Sequence, residues 1–91
     1  MKKINAHSRF KKDYKAIKAD SKMIKELEVV IEYLMNDKKL PIKYRDHALK
    51  KSKKYKNFRE CHILPELLLI YKKEDEDVLS LLRIGSHSKL L

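Results

Sequence analysis

Between Asn57 and Ile84 three apolar stretches follow one another, Asn57–Leu64, Glu66–Lys73 and Asp77–Ile84, separated only by Pro65 and by the polar run Glu74-Asp75-Glu76. A parallel return needs a crossover of a dozen or more residues, so connectors this short force neighbouring strands to pair antiparallel. Any fold available to this chain therefore contains a three-stranded antiparallel meander in its C-terminal half.

The N-terminal half has a different period. A short candidate strand lies around Ile4 within residues 1–6. Ser8 is placed to cap a helix in which Phe10, Tyr14 and Ile17 share one face. Ile24, Leu27, Ile31, Leu34 and Met35 form a second stripe nearly in phase with the first. One helix of ~27 residues at 1.5 Å each would reach about 40 Å, longer than so small a domain can cover. Asp20-Ser21 is a cap between two shorter helices, so the spacing predicts a helical hairpin. Asn36 to Pro41 ends it, and 43–56 is a basic loop with no sustained period. The expected class is α+β: a small twisted antiparallel sheet with the hairpin on one face, in the order β-α-α-β-β-β, as a single domain over 1–91.

Charge narrows the partner. Lys and Arg outnumber Asp and Glu by 23 to 13, giving a formal net charge of +10, which suits a polyanion such as nucleic acid. The single cysteine, Cys61, leaves no intrachain disulfide. The longest apolar run, Leu67 to Tyr71, is far below the ~20 residues of a membrane span, and no apolar segment follows Met1-Lys2-Lys3. These features predict a cytoplasmic protein with no membrane partner.

Three histidines, His47, His62 and His87, punctuate the second half. Imidazole exchanges protons near neutrality and arginine is a permanent donor to phosphate oxygens. Strand alternation puts Glu60 and His62 on one face, with Arg59 and Cys61 on the other. Adjacent Cys61 and His62 cannot share one metal from a regular strand, and no Cys-x-x-Cys or His-x-x-x-His spacing exists, so no metal or other cofactor is expected. RNA offers a metal-free route, because its 2′-hydroxyl can attack the adjacent phosphorus. Such an enzyme must remove the 2′-proton, stabilise the phosphoryl oxygens and protonate the leaving 5′-oxygen. His47, His62, Glu66, Arg83 and His87 supply these roles, with His47, His62 and Glu66 all qualifying as base. Lys50, Lys51, Lys53, Lys54 and Arg59 are candidates to hold the RNA backbone.

Tyr44-Arg45-Asp46-His47-Ala48-Leu49, Phe58-Arg59-Glu60-Cys61-His62, Leu68-Leu69-Ile70-Tyr71-Lys72 and Leu82-Arg83-Ile84-Gly85-Ser86-His87-Ser88 together resemble the YafQ branch of the RelE/ParE superfamily of type II toxin–antitoxin toxins. The resemblance implies the RelE-like fold and a metal-independent endoribonuclease cutting mRNA in the ribosomal A site. It carries catalytic roles onto His47, His62, Glu66, Arg83 and His87. It also implies as partners a DinJ/RelB-like antitoxin, the ribosome and mRNA, with operator DNA met only through the antitoxin complex. The chain departs from relatives in three places. Lys50-Lys51-Ser52-Lys53-Lys54-Tyr55-Lys56 stands where a Gly-x-Trp-Lys motif is usual. The acid after Pro65 is Glu66 followed by Leu67 rather than tryptophan, and Leu91 replaces a C-terminal aromatic. A gyrase-inhibiting toxin of the ParE branch and a non-catalytic basic RNA-binding protein are the alternatives. The first lacks this histidine set, and the second predicts binding that survives loss of the histidines.

Overall fold

The computed structural model describes residues 2–50 and 53–90. The order is β1 (Lys3–Ala6), α1 (Ser8–Ile17), α2 (Ser21–Met35), a 3-10 turn at Ile42–Tyr44, β2 (His47–Ala48), β3 (Arg59–Leu64), β4 (Leu67–Lys73), β5 (Val78–Gly85) and α3 (His87–Leu90). The expected helical hairpin and meander are both present. The loop expected over 43–56 contains β2, a strand too short to show a period.

One five-stranded sheet runs β1-β5-β4-β3-β2. Neighbours β2 to β5 pair antiparallel, while β1 pairs parallel to β5 from Lys3 opposite Val78 to Ala6 opposite Leu81. The sheet is thus mostly rather than wholly antiparallel. The parallel pair is possible because the whole meander separates its two strands in sequence.

Both faces of the sheet are covered. On one, Phe10, Ile17, Leu27, Val30 and Leu34 from α1 and α2 pack against Cys61, Ile63, Leu69, Tyr71, Leu79, Leu81 and Ile84. On the other, Tyr55 and Leu90 seal Leu68 and Ile70, with Leu49, Phe58 and Leu82 at the margin. Burial of apolar side chains at about 25 cal/mol per Å² drives both. The fully buried β4 segment Leu68–Ile70 reads as a continuous apolar run for this reason.

Caps fix the helix starts. Asp20 accepts from the N–H groups of Lys22 and Met23, both at 3.1 Å, as its spacing predicts. Ser8 does not cap α1. That position is taken by His7, whose extended backbone donates its N–H to the Leu81 carbonyl at 3.0 Å and so continues the β1–β5 ladder. Gly85 closes β5 opposite Leu68, and the chain turns at Ser86, whose hydroxyl accepts the Lys89 N–H at 3.3 Å. Among the described residues no helix is long and apolar enough to cross a membrane.

Candidate active site

On β3, alternation turns Cys61 into the helix-side core and Glu60 and His62 to the opposite face. β2 then sets His47 directly opposite Glu60. The result is one carboxylate with an imidazole on either side: Glu60 Oε1 lies 3.6 Å from His47 Nε2 and 3.6 Å from His62 Nε2. The two rings are 6.4 Å apart. Glu60 is only 3% exposed, and its second oxygen, Oε2, has no hydrogen-bond partner among the described residues. Glutamate is almost never buried without a partner, so the arrangement is a costly one kept in place by the fold.

His47 Nδ1 lies 2.7 Å from the Arg45 carbonyl oxygen. A carbonyl only accepts, so Nδ1 carries a hydrogen, and in the neutral ring it is Nε2, on the side facing Glu60, that keeps the lone pair. A proton taken up at Nε2 would create an imidazolium beside a carboxylate, which offsets its charge.

A second network holds His47 in place. Arg45 adopts the left-handed conformation at φ 48°, and the next residue, Asp46, is tied to the helix-side face. It accepts from Arg59 Nη2 at 2.9 Å and Nε at 3.2 Å, and from the Tyr71 hydroxyl at 2.5 Å. The Asp46 hydrogen bond raises the pKa of Arg59, and burial followed by that same carboxylate pushes the Tyr71 phenol up. With Asp46 drawn to one face, strand alternation sends His47 to the other. Arg59, a candidate for RNA, is therefore already engaged in a bidentate pair.

The other candidates lie apart from this pair. Because β3 and β5 run in the same direction, their C-terminal ends bring His62, Glu66 and His87 to one end of the sheet. Glu66 is exposed on the β3–β4 turn and makes no hydrogen bond or ion pair with His47 or His62; the acid beside the histidines is Glu60. His87 is exposed at the start of α3 and is likewise unbonded among the described residues. Arg83 shares a cross-strand row with Ile70, Glu60 and His47. A bulge that leaves Leu82 unpaired re-aims it toward α1. There its guanidinium bonds Asp13, Nε to Oδ2 at 2.7 Å and Nη2 to Oδ1 at 3.1 Å. Lys50, Lys53 and Lys54 are exposed, and Lys51 lies outside the described residues.

Sequence reasoning missed three acids. Parity put Glu60 on the face of His62, a signal sufficient to nominate it. Asp46 and Asp13 carry no local signal, because their partners are remote in sequence. No three His, Cys, Asp or Glu side chains among the described residues are grouped to hold a metal ion.

Comparison with known proteins agrees with this architecture. Residues 2–91 match the family model of the bacterial toxin of type II toxin–antitoxin system, YafQ. The chain is 34% identical over 88 residues to the mRNA interferase toxin YafQ of Escherichia coli strain B / BL21-DE3, covering 96% of this chain and 92% of that protein. Its fold superposes on a copper-bound mutant toxin from Helicobacter pylori with a TM-score of 0.89 at 42% identity, covering all of both chains. It also matches a chain of the E. coli DinJ–YafQ complex with a TM-score of 0.84 at 33% identity, over 100% of this chain and 99% of that one. By its sequence across nearly every residue and by its fold, this chain belongs to the YafQ family of bacterial type II toxin–antitoxin toxins.

Proposed function

We propose that this toxin is a metal-independent endoribonuclease that cuts mRNA in the ribosomal A site and is held in check in the cytoplasm by a DinJ-like antitoxin. The E. coli relatives carry the name mRNA interferase, and DinJ is the partner in the related complex. The observation that carries the chemistry is the pair of histidines across the buried Glu60 carboxylate.

In this reading His47 Nε2 takes the proton from the 2′-hydroxyl as that oxygen attacks phosphorus. Glu60 stabilises the resulting imidazolium, and its unpartnered Oε2 is an acceptor for a substrate or water donor. His62, at the same distance from Glu60, is the group next in line to meet the phosphoryl oxygens. His87, exposed at the same end of the sheet, gives its proton to the leaving 5′-oxygen. The bonds balance: O2′–P forms, P–O5′ breaks, and one proton leaves O2′ as another reaches O5′. Glu66 keeps a position at the mouth of the site, and Arg83 meets phosphate at its flank.

Cleavage on translating ribosomes in their own Mg²⁺ buffer, by toxin stripped beforehand with EDTA and freed of the chelator, tests this directly. The products should carry a 2′,3′-cyclic phosphate or 3′-phosphate and a 5′-hydroxyl. His87→Ala should lose about 10²–10⁴-fold in rate with ribosome affinity retained. A need for added metal, or full activity in His87→Ala, would overturn the mechanism. The copper-bound and metal-bound states of the H. pylori toxins make the metal arm of this test necessary.

A further inference from the structure

Where α1, the outer part of β5 and α3 meet, Arg9, Lys12, Lys54, Arg83 and Lys89 surround a cleft of about 430 Å³ whose only acid among the described residues is Asp13. Asp13 cannot neutralise them. Its Oδ2 accepts from Arg83 Nε at 2.7 Å and the Ile84 N–H at 3.2 Å, and its Oδ1 from Arg83 Nη2 at 3.1 Å, with Lys89 Nζ 3.7 Å away. Arg9 stands four residues before Asp13, the helical spacing at which the two would pair, yet that carboxylate is already filled. Among the described residues neither Arg9, Lys12 nor Lys54 forms an ion pair with any acid. Crowding like charges in one concavity is unfavourable by itself and raises the local potential for an anion.

One member of the cleft, Arg83, shares a backbone row with the histidine pair, and Tyr55 and Leu90 roof the Ile70 that lies between them. His47, Glu60, Ile70 and Arg83 form one row across β2, β3, β4 and β5. Two strand spacings therefore separate Glu60 from Arg83, about 10 Å, or roughly three stacked nucleotides at ~3.4 Å each. Building on the ribonuclease reading above, we infer that this cleft binds a phosphodiester of the single-stranded RNA about three nucleotides from the bond that is cut. It would hold the strand in register while the histidines act. An acidic protein segment is the competing occupant, but it would not explain why Arg83 of the cleft shares a cross-strand row with Glu60 and His47.

The test compares wild type with Arg9→Ala/Lys12→Ala/Lys89→Ala. The probes are fluorescent 2′-O-methyl RNAs, which lack the attacking hydroxyl and so report binding without cleavage. One is about twelve nucleotides long and one is a dinucleotide, too short to reach from the histidines to the cleft. The triple variant should bind the long probe at least tenfold more weakly. Its plot of log K against log salt should be shallower by about 2, at ~0.7 per lost phosphate contact. Dinucleotide binding should be unchanged, and Arg9→Lys/Lys12→Arg/Lys89→Arg should restore the long-probe slope. An unaltered long-probe slope, or equal losses on both probes, overturns the inference. So does a loss confined to polyglutamate binding, which would assign the cleft to an acidic protein. If unmodified RNA is never cut but the length-dependent loss is seen, the ribonuclease reading fails while the phosphate cleft stands.

Discussion

Asp13→Ala should destabilise the protein by about 3–5 kcal/mol, the range for removing one partner of a buried ion pair. Asp13 is 5% exposed, and the Arg83 side chain it holds is 12% exposed. Alanine would leave that guanidinium without its carboxylate. It would also remove the acceptor of the Ile84 N–H, which lies beyond the last β1–β5 pair, Ala6 opposite Leu81, and donates to Asp13 instead. With a urea m-value of about 1.5 kcal/mol/M, the midpoint should fall by about 2–3 M. Asp13→Leu/Arg83→Met should recover most of the loss, since a packed apolar pair replaces a buried ionic one at little net cost. The pH dependence has a definite sign. Burial alone would raise the Asp13 pKa, but the bonds from Arg83 and Ile84, with the charges of Arg83 and Lys89, outweigh it and hold the carboxyl below its ordinary value. A depressed folded pKa gives stability that is present above the unfolded pKa of about 3.9 and lost as pH falls through the folded value. The stability gap between wild type and Asp13→Asn should therefore be constant from neutrality down to about pH 4.5 and close below pH 4. A loss in Asp13→Ala under about 1 kcal/mol, the range of exposed pairs, or a gap that persists in acid, would refute the reasoning.

Two further outcomes follow from the same physical logic. Asp46→Asn removes the charge that holds Arg59 and Tyr71, so β2 should loosen and the Nδ1-protonated form of His47 should lose dominance in nitrogen NMR shifts; an unchanged tautomer would show that Arg45 alone fixes the ring. Cys61 is fully buried, and burial, then the charges of Asp46 and Glu60, push its thiol well above its ordinary pKa. It should ignore an aromatic disulfide reagent in native buffer and react only after urea unfolding; prompt native reaction would contradict the packing of β3.

Much of the scaffold is legible because its signals are local. Strands expected over 57–64, 66–73 and 77–84 form at Arg59–Leu64, Leu67–Lys73 and Val78–Gly85, since alternation and short connectors leave few alternatives. The Asp20 cap is equally local. The parallel β1–β5 pair is not, because it joins the two ends of the chain and leaves no period or turn to read. His7 replaces Ser8 as the cap of α1 for the same reason: its N–H answers to Leu81, seventy-four residues away.

The site divides along the same line, and its least legible member is His47. His62 and Glu60 share a face by parity alone. His47 reaches them only through a two-residue strand whose placement depends on Asp46 bonding Arg59 and Tyr71, contacts spanning thirteen and twenty-five positions. Glu66, exposed on its turn, fits the ordinary expectation for a carboxylate, whereas a buried Glu60 runs against it. Burying an acid beside two imidazoles becomes understandable once proton uptake by either ring is counted, because the carboxylate is then a counter-charge fixed in advance and needs no reorganisation. That predicts unequal effects for the two acids. Glu60→Gln should keep the shape but lose the counter-charge, lowering kcat with KM nearly unchanged and altering the pH–rate profile. Glu66→Gln should change KM more than kcat. Equal and small effects of both substitutions would remove Glu60 from the mechanism and leave the buried carboxylate without a role.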